Sequence, residues 1–191
     1  MFIVIGLGNP GPQYENTPHN VGFLAVDAFG KENNFPDFRL IKKYNTATSQ
    51  SEMAGQKVIL AKPQTFMNES GDAVKKLMAK SRLEDTNTNL IVVHDDVVFP
   101  LGQIKIVKKR GANHHKGIES IMSALGHRDF IRIRIGTNKE LKKSLDLKDF
   151  VLSKFALQDK IELTASLQKT TKAIETIITD GIDKAMTKFN K

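Results

Sequence analysis

Five histidines and no cysteine limit the side chains that could activate a nucleophile in this chain. A thiolate is excluded, and with it disulfides and cysteine metal sites. Base catalysis falls to His19, His94, His114, His115 or His127. His19 follows Thr17-Pro18, a helix start signal with threonine as N-cap and proline in the first helical position. There the macrodipole opposes a second positive charge, which predicts a neutral imidazole able to accept a proton from water. A lone histidine at a helix start is more often structural than catalytic, so it needs a partner. Asp95, just past the apolar run at 90–93, is the best candidate. A carboxylate on one ring nitrogen fixes the tautomer and stabilises the imidazolium. Spacing alone supports equally well a reading of Asp95-Asp96 as turn residues capping a strand.

The other histidines divide by context. His127 follows Gly126 at a predicted helix end and reads as an exposed cap residue. His94 ends a strand, where a buried structural role is at least as good as a catalytic one. Metal ligation by His94 with Asp95 and Asp96, or by His114-His115, lacks any supporting ligand spacing, so no metal is expected.

Gly6-Leu7-Gly8-Asn9-Pro10-Gly11 satisfies the letters of a dinucleotide fingerprint. Its context does not. Pro10 and Pro12 remove backbone donors that a pyrophosphate would need, and they push Asn9 and Gly11 towards extended conformations. The segment reads instead as a turn that holds Asn9 at the carboxyl end of a central strand, where open α/β sheets place ligands.

The elements that must hold these residues follow from periodicity. Residues 1–5, 58–61 and 90–93 are short apolar runs ended by turn residues, as buried strands are. Residues 103–107 alternate with period two, as do Ile131, Ile133 and Ile135 against Arg132 and Arg134, which predicts a strand with a charged face. Helical spacing relates Val21, Leu24, Ala25 and Ala28, then Ala73 and Leu77, then Ile118, Ile121, Met122 and Leu125 ahead of Gly126. A long amphipathic helix is expected over 158–179 through Ile161, Leu167, Ile174, Ile177 and Ile178, broken by Gly181. The fold class is α/β: a single domain over 1–191, a mixed twisted sheet with helices on both faces.

Twenty-nine Lys and Arg against 21 Asp and Glu give a net charge of +8. Such charge suggests a polyanionic partner, nucleic acid or an anionic membrane surface. No apolar run is long enough to span a membrane. The first strand lacks a signal peptide's basic flank and cleavage site, and the absence of cysteine suits the cytoplasm.

Taken together, several segments resemble the bacterial-type peptidyl-tRNA hydrolase family over nearly the whole chain. Residues 6–11 with Tyr14 are similar to its N-terminal signature, and Thr17-Pro18-His19-Asn20-Val21-Gly22 to its T-R-H-N-x-G segment. Residues 62–71 resemble K-P-x-T-F-M-N-x-S-G, His94-Asp95-Asp96 resembles H-D-[DE], and residues 130–136 match F-x-R-x-R-x-G. The resemblance implies hydrolysis of the ester joining a peptide to the 3′-terminal ribose of tRNA, with His19 activating water and Asp95 supporting it. It implies that Asn9 and Asn68 hold the peptide main chain or polarise the scissile carbonyl, with Tyr14, Met67 and His115 in the substrate site. Asn68 has a second reading, as N-cap of the following helix. Lys105, Lys108, Arg110, Arg134 and Lys142, with neighbouring lysines, fit tRNA phosphates. A cytoplasmic monomer is implied, with no metal, no organic cofactor, no membrane and no obligate protein partner.

Three positions depart from the family pattern, two of them in the substrate loop. Pro18 stands where the family usually has arginine. The G-x-x-G-H-N-G loop is Gly111-Ala112-Asn113-His114-His115-Lys116-Gly117, with His114 for a glycine and Lys116 for an asparagine. Lys116 cannot accept a hydrogen bond, although it could meet a phosphate or carboxylate. The competing readings are a catalytically weakened RNA-binding protein on the same fold and a nucleotide-binding α/β protein.

Overall fold

Apolar, β-branched runs become the centre of one sheet, and polar strands close its sides. The computed structural model describes residues 1–83, 85–138 and 147–190. Its strands are β1 (Phe2–Gly6), β2 (Arg39–Ile41), β3 (Thr46–Met53), β4 (Gln56–Pro63), β5 (Leu90–Pro100), β6 (Ile104–Lys108) and β7 (Ile131–Asn138). The helices are α1 (Val21–Glu32), α2 (Ser70–Ser81), α3 (Thr86–Asn89), α4 (Lys116–Leu125), α5 (Leu147–Leu152), α6 (Lys160–Asp180) and α7 (Ile182–Phe189).

The seven strands order as β2-β3-β4-β1-β5-β7-β6. The central four, β4, β1, β5 and β7, run parallel, while β2, β3 and β6 are antiparallel to their neighbours. Each central strand is covered on both faces, which is why β1, β4 and β5 carry unbroken apolar runs, whereas β7 alternates isoleucine with arginine. One layer packs Val21 and Ala25 of α1, Ile174 of α6 and Ala185 of α7 onto Val4, Ile91 and Ile133. The other packs Val74 of α2 and Ile118 of α4 onto Ile3, Ile5 and Val92. A mixed sheet with helices on both faces is the expected class. Among the described residues no helix is long and apolar enough to cross a membrane.

The chain leaves β1 for one side of the sheet and later returns to its other side at β5, so a crevice opens at the carboxyl ends of these two strands. Backbone contact draws α1 into that crevice. The Leu7 amide donates to the Val93 carbonyl (3.0 Å) and the Phe23 amide to the Leu7 carbonyl (3.2 Å). A Cβ on Gly22 would lie 2.4 Å from both the Leu7 nitrogen and the Val93 oxygen, so only glycine permits this approach. At the opposite edge, Asn190 completes β6. Its side chain accepts from the Ile106 amide (2.7 Å) and donates to the Ile106 carbonyl (2.9 Å), as a neighbouring strand would.

Several expectations shift. Regular helix begins at Val21, because Pro18–Asn20 forms a separate 3-10 turn. β5 runs on to Pro100, so Asp95 and Asp96 lie inside the strand rather than capping it. Ile161 is 80% exposed, off the buried face of α6, which is set instead by Ala173, Ile174, Ile177 and Ile178. The charged face of β7 is interior: Arg132 is only 2% exposed. Gly126 (φ 77°) ends α4 and Gly181 ends α6, as expected.

Candidate active site

β5 supplies the site's carboxylate. Asp95 is 3% exposed, and each of its oxygens accepts from a different histidine. His19 Nδ1 donates to Oδ2 at 2.9 Å, and His115 Nε2 donates to Oδ1 at 2.9 Å. The His115 tautomer is fixed from behind. It is the N-cap of α4, and its Nδ1 accepts from the Ile118 amide (3.3 Å), so the proton sits on Nε2. Burial alone would raise the Asp95 pKa, but the charges and hydrogen bonds of His115 and His19 reverse this and hold it far below the usual carboxylate range. Asp95 therefore stays an acceptor for both rings.

The His19 ring departs from the helix-start argument. Burial pulls its pKa down, yet the charge of Asp95 and the hydrogen bond to it outweigh burial, and the net shift is upward. The macrodipole of α1 does not set its charge state. His19 precedes that helix, and the carboxylate dominates. With Nδ1 committed to Asp95, Nε2 has no protein partner among the described residues and belongs to the cavity wall.

His94 takes the structural role. It is buried, its Nδ1 donates to the Asp95 carbonyl (2.7 Å), and its ring stands edge-on to His115 at 4.5 Å. Burial first, then the charge of His115, pushes its pKa well below the ordinary histidine value. His127 is exposed, and its Nδ1 accepts from the Asp129 amide (3.1 Å).

His19, Asp95 and His115 bring three potential ligand atoms within 4.8 Å of one another. The donor set suits protons better than a cation. A metal on Nε2 of His115 would leave the ring proton on Nδ1, facing the Ile118 N–H.

A cavity of about 800 Å³ opens over this cluster. Its polar wall includes Asn9, Asn68 and Lys116, and its apolar wall Phe66, Met67, Val97, Val151 and Leu152. Asn9 is held rigidly: Oδ1 accepts from the Met67 amide (2.8 Å), so the amide nitrogen is left without a protein partner among the described residues. Asn20 clamps the same residue's backbone, accepting from the Asn9 amide and donating to its carbonyl, both at 2.9 Å. Asn68 is exposed in the cavity wall, with no partner among the described residues. The N-cap position of α2 belongs to Glu69, so the capping alternative for Asn68 fails. Met67 is buried at the cavity floor, while Tyr14 stands behind Phe66 (6.5 Å, edge-on) and does not line the cavity. Asn20 sits in the same short segment as His19, but nothing in its spacing signals the clamp. Phe66, and Val151 and Leu152 of α5, carry no sequence signal for the site.

The altered loop has a backbone reason for its usual glycine. Asn113 (φ 52°) and His114 (φ 61°) are both left-handed, and His114 occupies the glycine position. Lys116 is exposed at the cavity rim, its Nζ 3.0 Å from Glu119.

The basic residues separate by environment. Lys105 and Arg110 are exposed and Lys108 is half-buried, all on or just after the edge strand β6. Arg134 is largely buried, its guanidinium 2.5 Å from Asp96 and stacked 4.7 Å over Phe99, so its charge is already partnered. Arg132 donates to the Gly111 carbonyl (3.0 Å), and burial, then repulsion from Arg134, lowers its pKa to about 10. Lys142 lies outside the described residues.

Known proteins resemble this chain in sequence and in fold. The family model described as peptidyl-tRNA hydrolase matches residues 3–191. A peptidyl-tRNA hydrolase of Lachnoclostridium phytofermentans is 41% identical over 191 residues, covering 100% of this chain and 97% of that protein. One from Bdellovibrio bacteriovorus is 40% identical, with 100% of each covered. The crystal structure of peptidyl-tRNA hydrolase from Acinetobacter baumannii shares the fold with a TM-score of 0.90 at 23% identity, over 100% of this chain and 94% of that one. Matched along its length in sequence and in fold, the chain belongs to the peptidyl-tRNA hydrolase family.

Proposed function

We propose that this chain, acting as one domain, hydrolyses the ester between a peptide and the 3′-terminal ribose of tRNA. The observation that carries the mechanism is the 2.9 Å bond from His19 Nδ1 to Asp95, which leaves Nε2 as the base. His19 Nε2 takes a proton from water while the water oxygen bonds to the ester carbonyl carbon. The carbonyl oxygen becomes an oxyanion, stabilised by the free amide nitrogens of Asn9 and Asn68. Collapse of this intermediate breaks the bond to the ribose 3′-oxygen, which leaves with the proton held on His19. Asp95 keeps its charge throughout and stabilises the imidazolium, as the carboxylate of a catalytic triad does. His115 holds Asp95 from its other oxygen, and Met67 and Phe66 pack against the substrate, with Tyr14 behind them. No step in this route calls on a metal or organic cofactor.

Lys105, Lys108 and Arg110 contact tRNA phosphates, with Lys116 at the cavity rim. Such contacts give affinity without sequence readout, as an enzyme serving many tRNAs requires. Arg134, already paired with Asp96, shapes the edge of this surface. A reaction on translation products places the protein in the cytoplasm, and the site is complete within one copy.

The test is release of N-acetyl amino acid from charged tRNA. His19→Ala should lower kcat by about a hundredfold or more, the scale of removing a general base. Wild-type protein that binds tRNA but releases nothing would favour the RNA-binding alternative, and full activity in His19→Ala would remove the histidine from the mechanism.

A further inference from the structure

The segment joining β6 to α4 delivers His115 to the active site, and its own backbone does not favour the shape it takes. Lys109 (φ 56°), Asn113 (φ 52°) and His114 (φ 61°) are left-handed without being glycine, a conformation that L side chains disfavour, asparagine least. A turn closes the segment, with the His115 amide donating to the Ala112 carbonyl (3.1 Å). Ala112 packs against the core layer that contains Met67 and Ile118, but apolar contact is non-directional and sets no register. The directional hold comes from the sheet. Arg132, on β7 between β5 and β6, donates through Nη1 to the Gly111 carbonyl at 3.0 Å.

Stability alone does not account for an arginine at this place. Arg132 is 2% exposed, and its Nε and Nη2 have no partner among the described residues. With a pKa of about 10 it keeps its charge at neutral pH. Asp96, which attracts it, is already bound to Arg134, and Arg134 repels it. A buried cation with unmet donors is less stable than an apolar side chain of similar volume. What the guanidinium contributes is a fixed position for Gly111, four residues before His115.

From there the bonds connect without a gap. Arg132 holds Gly111, the Ala112–His115 turn follows, His115 Nε2 donates to Asp95 Oδ1, and His19 Nδ1 donates to Asp95 Oδ2. Asp95 is fixed within β5, so the loop decides whether His115 reaches it. We propose that Arg132 is a positioning residue for the hydrolysis, fixing from the sheet the loop that presents His115 to Asp95, an inference that rests on the hydrolase reading. Arg132 touches no reacting atom. It acts on the base at three removes, through His115 and the carboxylate that His115 shares with His19.

The test measures release of N-acetyl amino acid from charged tRNA by wild type, Arg132→Met, Arg132→Lys, His115→Ala and the Arg132→Met/His115→Ala double variant. Arg132→Met should lower kcat about tenfold, the scale of one hydrogen bond from a charged donor, with KM within about twofold of wild type. The His115 amide should exchange its hydrogen about tenfold faster in that variant, because the turn it closes has lost its anchor. Arg132→Lys, which keeps a charged donor, should recover most of kcat. On a His115→Ala background the methionine substitution should cost less than about twofold more, since residues that act as one unit are not additive. Arg132→Gln, too short to span to Gly111, serves in the same comparison if the methionine variant does not fold. Unchanged kcat, or a tenfold loss repeated in full without His115, would overturn the positioning role and leave the hydrolase reading standing. A loss carried by KM would also overturn it, by making Arg132 a tRNA ligand. No release by wild type would overturn both readings.

Discussion

At the scale of single residues, His19 works through the charge that faces it. Its raised pKa comes from Asp95 overcoming burial, so the neutral, proton-accepting form predominates only at higher pH. The rising limb of kcat/KM against pH should therefore lie above the ordinary histidine value of about 6.5. The same shift contributes stability below that value and loses it as pH climbs through the folded-state pKa. Asp95→Asn removes the charge and leaves burial, so the limb should move to lower pH while the plateau falls. A limb that stays in place would mean Asp95 does not set the base. His114 offers a separate test at this scale. A left-handed backbone costs a non-glycine residue about 1–2 kcal/mol, partly offset by glycine's larger loss of freedom on folding. His114→Gly should stabilise the fold by roughly 0.5–1 kcal/mol, read from the urea midpoint at constant m. A lower midpoint would show that the His114 side chain contributes more than its backbone costs. The histidine and its carboxylate were legible in the sequence as a pair of candidates; their ordering by His115 was not. That third partner depends on where a helix N-terminus lands, which spacing does not encode.

At the scale of elements, the site exists because α1 touches the backbone of the β1 and β5 crevice through Gly22. Gly22→Ala should destabilise by upwards of about 2 kcal/mol, since the clash is with backbone atoms that no rotamer change relieves. Thermal denaturation followed by circular dichroism would read this, and an unchanged Tm would show that the helix can back away. The central strands and the α4 and α6 helices were readable because their patterns are long or unbroken. β2 and β3 were not, because Thr46–Met53 is mostly polar and carries no apolar run. Alternation along β7 gave the two faces correctly but not what covers them. The loop carrying Gly111 folds over Arg132, and a period of two is silent about tertiary cover. Ile161 failed for the opposite reason. It matches a helical repeat, yet it lies in the first turn of α6, off the face that carries the buried residues.

At the scale of the molecule, a net charge of +8 predisposes the protein to polyanions, and the exposed cations at the β6 edge give that tendency a place. Three phosphate contacts through Lys105, Lys108 and Arg110 should give log affinity for tRNA a slope of about −3 against log salt. Replacing Lys105 and Arg110 together with alanine should reduce that slope by about 2; an unchanged slope would move the tRNA to another face. The α/β class and the family were legible from the whole chain, because ordered motifs survive where single ones are ambiguous. The edge that carries those cations depends on Asn190, whose carboxamide occupies both outward backbone groups of Ile106. Fraying of α7 alone would uncover the Ile106 amide and carbonyl beside those cations, an unpaired donor and acceptor ready to pair with the same strand of another molecule. A small local opening at one helix end would thereby become a route to strand exchange between copies, and crowding at high protein concentration would select for it.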